Sequence, residues 1–117
     1  MILTTTDGVD GKSITQYLGI VSGDAVLGTN IFSDFFASVR DIVGGRTASY
    51  EKLLQQAKET ALEELRLQAQ SLGADAVVAI DLDYEVIGGD SKTMLMVTVN
   101  GTAVKLADSQ GKAKPWG

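Results

Sequence analysis

Residues 48–87 read ASYEKLLQQAKETALEELRLQAQSLGADAVVAIDLDYEVI, and the spacing of apolar side chains changes period partway along them. From Ala48 to Leu72, the positions Tyr50, Leu53, Leu54, Ala57, Ala61, Leu65, Gln68 and Leu72 follow steps of three and four, and Leu62 and Ala69 widen the stripe. That spacing predicts a single amphipathic helix. Charged residues fill the other positions: Glu51, Lys52, Lys58, Glu59, Glu63, Glu64 and Arg66. About 25 residues at a 1.5 Å rise extend roughly 37 Å. That is long for a small domain, so part of the helix is expected to meet something besides its own sheet. Gly73 suits the left-handed position just past a helix end.

From Ala76 to Ile87 the period falls to two. Strict alternation puts Val78, Ile80, Leu82, Tyr84 and Val86 on one face, and Val77, Ala79, Asp81, Asp83, Glu85 and Ile87 on the other. Gly88-Gly89-Asp90-Ser91 reads as a loop. Met94 to Val99 is a strand, Asn100-Gly101 a turn or bulge, and Thr102 to Leu106 a continuation.

Upstream, residues 2–6 (ILTTT) are β-branched and end at Asp7-Gly8, a turn signal. Gln16 to Ser22 is a strand, and Ala25 to Thr29 is a second one. They form either a hairpin or one bent strand with bulges at Gly19, Gly23 and Gly28. Phe32, Phe35, Phe36, Val39, Ile42 and Val43 mark an apolar helix face over residues 32–43, with Gly44 past its end. The last ten residues, DSQGKAKPWG, are polar and hold the only proline. Residues 1–107 therefore read as one domain and 108–117 as a flexible tail. The order strand, helix, long helix, strand, strand predicts an α+β fold: a small antiparallel sheet with the long helix laid across it and a short helix beside. Such a sheet has edges that need pairing or covering.

Composition narrows the chemistry. A chain of 117 residues suits one domain. It has no cysteine and no histidine, which excludes disulfides, thiolate ligands, imidazole ligands and the commonest general base. A net charge of −5 argues against nucleic acid and anionic membrane surfaces as partners. No apolar run approaches the roughly 18 residues of a membrane span. MILTTTDG lacks a basic segment followed by an apolar one, so no signal peptide is expected and the cytoplasm is the default compartment.

Three blocks, GTNIFSDFFASVRDIVGGRTASYEKLL, LGADAVVAIDLDYE and MLMVTVNGTAVKL, follow one another in an order that resembles the YbjQ family of small bacterial proteins. The resemblance spans about residues 1–107. The family often has a basic residue where this chain has Ser33. The resemblance implies a β-α-β-β, dodecin-like subunit that assembles into homopentameric rings, singly or as stacked pentamers. It also brings a heavy-metal-binding label, without an established activity or catalytic residues.

Four candidate sites stand beside plainer readings. Asp81, Asp83 and Glu85 alternate on one strand face, with Asp75 before and Asp90 after, and no lysine or arginine falls between Arg66 and Lys92. Same-face neighbours lie about 6.5–7 Å apart, so these carboxylates suit a hard divalent cation such as Ca²⁺ or Mg²⁺. The plainer reading is a solvated face, or pairing with a neighbouring subunit. For soft metals the chain offers only the thioethers of Met1, Met94 and Met96, and the pair at 94 and 96 more often fills core. Gly45, Arg46 and Thr47 open the long helix and suit an anion. They lack P-loop spacing, and a helix–turn–helix junction is the first reading of them, with anion binding the lesser one. Asp34, Arg40, Asp41 and Arg46 surround the phenylalanine cluster, either as a boundary pocket or as the rim of a subunit contact. Ser22, Thr29 and Ser33 have no visible base, so a non-enzymatic protein is expected, with catalysis left as the lesser alternative.

Overall fold

The computed structural model describes residues 1–27, 46–88 and 93–107, with the side chains of 46–50, 87, 88 and 93 left aside. The helix expected at 32–43, most of the loop at 88–91 and the tail at 108–117 lie outside the described residues. Five elements follow in order: β1 (Ile2–Leu3), β2 (Ile14–Leu27), α1 (Arg46–Ser71), β3 (Ala76–Gly88) and β4 (Thr93–Leu106). The architecture is α+β, one helix against a four-stranded sheet of order β1-β3-β4-β2. The three long strands are antiparallel, as their alternation predicts. The sheet is nevertheless mixed, because the two-residue β1 pairs parallel to β3.

The long helix forms where its stripe places it. It begins at Arg46, so Thr47 and Ser49 lie within its first turn and do not precede it. Its end is a Schellman cap. Gly73 adopts φ 78°, its N–H donates to the Gln70 carbonyl at 3.0 Å, and Ala74 N–H donates to the Ala69 carbonyl at 3.1 Å. Only glycine enters this conformation cheaply, and the two bonds satisfy carbonyls that the helix leaves open.

One core lies between helix and sheet. Ala57, Ala61, Leu65 and Ala69 of α1 face Val21, Val77, Ile80, Val97 and Val99 of the strands. Three of the four helix positions are alanines, so the helix can approach closely, and it packs mainly on β2. Among the described residues, the other face of the sheet carries a second buried cluster at one end. There Ala76, Val78, Val104 and Leu106 are buried beneath Val9 and Ile14. Asp75 secures this end: its carboxylate accepts from Leu106 N–H at 2.9 Å.

Strict alternation fails at one point in β3. Val78 pairs with Thr102 and Asp81 with Asn100, so β3 carries one residue more than β4 over this interval. The bulge centres on Ala79, which has φ 54°. Val77 therefore shares the helix face with Ile80 and Leu82, while Val78 turns to the opposite face. Asn100-Gly101 is no turn; both residues lie within the continuous β4. Upstream, the two predicted strands are one, with irregularities between Ile14 and Gln16 and between Tyr17 and Gly19. Gly23 sits in regular register opposite Val99, where the lack of a side chain admits the helix backbone.

Candidate functional site

Past the bulge, β3 presents Asp81, Asp83 and Glu85 on the face away from α1, all three exposed. Their partners on β4 are Asn100, Thr98 and Met96. Beyond these, on β2, lie Ser22, Asp24 and Val26. Directly paired residues share a face, so the acidic row is flanked by uncharged side chains on β4 and then, on β2, by a fourth carboxylate, Asp24. A hydrogen bond with Asp81 raises the Asp83 carboxyl above its ordinary value. The charge of Asp81, burial and the charge of Glu85 add to the rise in that order. Neighbouring negative charge makes the Asp83 carboxyl harder to ionise.

Among the described residues, no three His, Cys, Asp or Glu side chains are grouped so as to hold a metal ion. Asp75 belongs to the opposite end of the strand, where it caps Leu106. Met94 and Met96 are not core residues: Met94 is exposed, Met96 is half-buried, and Met96 stands opposite Glu85. Arg46 and Thr47 occupy the first two helical positions, while Gly45, Asp34, Arg40 and Asp41 lie outside the described residues. Among the described residues no helix is long and apolar enough to cross a membrane.

Two features escape the sequence. The first is a cavity of about 230 Å³ between the segment after β1, the middle of α1 and β3, lined by Leu3, Thr4, Thr5, Lys58, Leu62, Ile80 and Leu82. Lys58 reads as one more charge on a solvated helix face, and nothing in its spacing marks it. The second is the contact of Gln68 with β2, in which Ser22 N–H donates to the Gln68 side-chain oxygen at 2.7 Å. A glutamine on an otherwise apolar stripe is the one signal that could have found it.

The fold has a counterpart among solved structures. A crystal structure of a protein of unknown function from Pediococcus pentosaceus, assigned to the DUF74 family, matches with a TM-score of 0.61 at 19% identity, over 89% of this chain and 95% of that one. A family comparison matches residues 1–107 to YbjQ, whose description reads "Putative heavy-metal-binding". Spanning nearly the whole of the chain, that match establishes that it belongs to the YbjQ family.

Proposed function

We propose that the chain is a non-enzymatic subunit of a cytoplasmic homo-oligomeric ring, a homopentamer or a stacked pair of pentamers, that holds a ligand or partner at its subunit boundaries. The observation that carries this reading is the edge formed by β2. The strand runs for 14 residues at the end of the sheet order. Among the described residues no strand pairs with its outer side, where Ser22 N–H meets only a side chain. Along it Tyr17, Ile20 and Val26 are 70%, 82% and 55% exposed. A long apolar edge of this kind is normally covered or paired, and a second copy of the chain is the cheapest cover. Sedimentation equilibrium at micromolar concentration tests it: a ring gives a fixed multiple of the 12.3 kDa chain, whereas a monomer overturns the reading.

The family's metal description sits poorly with the donors present. Heavy, soft ions prefer thiolate and imidazole, and the chain has neither. A second reading rests on the Asp81–Asp83 pair: a hard divalent cation would relieve the repulsion that Asp83 meets from Asp81 and Glu85. Calorimetric titration of metal-free protein with Ca²⁺, Mg²⁺, Mn²⁺ and Zn²⁺ decides it. Heat that Asp83→Asn removes supports the site, and heat unchanged by that substitution sinks it.

A further inference from the structure

We infer that the cavity between α1, β3 and the segment after β1 binds a medium-chain aliphatic carboxylate, its tail among apolar side chains and its head on Lys58. The cavity measures about 230 Å³, and Leu3, Leu62, Ile80 and Leu82 supply its apolar wall. A dry cavity of about 150 Å³ accepts benzene, six heavy atoms. By proportion this one takes roughly nine or ten, the size of octanoate.

The wall depends on a strained piece of backbone. Ala79 stands at φ 54°, a left-handed conformation that a residue with a Cβ adopts only at a steric cost. It is held there because its N–H donates to the Thr6 carbonyl at 2.8 Å, and Ile80 N–H donates to the Thr4 carbonyl at 3.0 Å. The bulge turns Ile80 and Leu82 toward the helix and into the cavity wall. Bulges that re-aim side chains in this way cluster beside binding sites, and strain in a non-glycine residue is kept where the surroundings over-determine it.

Lys58 carries the selectivity. It is half-buried and lines the cavity. Among the described residues no ion pair ties it to a carboxylate, in contrast to Arg66, which is paired with Glu63. An ammonium beside an apolar slot selects a ligand with one negative end and a hydrocarbon body. Inorganic phosphate would leave the slot empty, and an alkyl amine would meet a like charge.

The test uses the full chain in its native assembly, titrated by calorimetry with octanoate, octanol and octylamine. The expected result is saturable octanoate binding, one per chain, at least about tenfold tighter than octanol and weakened by added salt. Octylamine should show none. Lys58→Met should bind octanol as before and lose the preference for octanoate, with circular dichroism and sedimentation unchanged. Leu62→Phe, which fills the slot, should weaken octanoate and octanol alike. The inference is overturned by non-saturable octanoate binding, by equal affinity for octanol and octanoate, or by a Lys58→Met protein that keeps the wild-type preference. The ring's existence bears on none of these outcomes.

Discussion

Gly23 of β2 lies directly beneath the Ala61 carbonyl of α1: a Cβ built at Gly23 would overlap that oxygen and stand 2.9 Å from the Leu65 backbone nitrogen. Helix and strand meet here backbone to backbone. The alanine-rich stripe on α1 makes the approach possible and the glycine completes it.

Gly23→Ala is therefore expected to push the helix off the sheet. Overpacking against a backbone that cannot yield costs about 3 kcal/mol. Urea unfolding at fixed protein concentration should show a lower midpoint with an unchanged slope. A midpoint within error of wild type would mean that the helix does not seat at this depth.

Ala79 offers the opposite experiment. Glycine relieves its left-handed backbone, so Ala79→Gly should be neutral or stabilising by up to about 1 kcal/mol, after the entropy of a freer unfolded chain is deducted. Ala79→Val should destabilise by about 1–2 kcal/mol, because a β-branched side chain is worse placed at positive φ. Thermal unfolding of the pair gives a signed result: valine melting above glycine would contradict the bulge.

The Asp81–Asp83 pair predicts a pH dependence of definite sign. The raised Asp83 carboxyl binds its proton more tightly folded than unfolded. Its contribution is fully present below the ordinary aspartate value of about 3.9 and is lost as pH rises through the raised folded value. Asp83→Asn should flatten that slope and raise the melting temperature at neutral pH. The effect is modest, because the group is exposed. A variant that melts lower than wild type at neutral pH would show that the carboxylate is held by a favourable partner.

Ile20, 82% exposed on β2, separates the fate of the assembly from that of the fold. In an isolated chain Ile20→Lys should change stability by no more than about 0.5 kcal/mol. In a ring joined along this edge it places a desolvated charge at the joint. Analytical ultracentrifugation should then find smaller species with unaltered circular dichroism. Unchanged assembly would place the joint on another surface.

How much of this was legible depends on how local each signal is. The helix from Arg46 to Ser71 was, because a stripe of three- and four-residue steps ending in Gly73 admits little else. β4 was partly so: Asn100-Gly101 carries a turn signature, yet Val99 and Thr102 keep it in the sheet through partners on both sides. The β-branched run at 2–6 marks β1 as extended, but its parallel pairing with β3 depends on a contact more than 70 residues away. The bulge was invisible, since alanine gives no hint of a positive φ, and with it went the true companions of Val77 and Val78. The acidic row follows from alternation alone and lies on one face; the hydrogen bond between Asp81 and Asp83 depends on their side-chain geometry. Lys58 carries no local mark, because the cavity beside it is built from three separate segments.

The extra residue at position 79 makes β3 unevenly tolerant of length change. Losing the codon for Ala79 would leave Ile80 and Leu82 facing the helix and Asp81, Asp83 and Glu85 facing away, since the residue stands outside the alternation it interrupts. Losing any one codon between 80 and 86 would reverse every side chain on one flank of the deletion and drive carboxylates toward the apolar side or leucines toward water. Natural variation in strand length should therefore accumulate at 79 and be purged a few residues downstream.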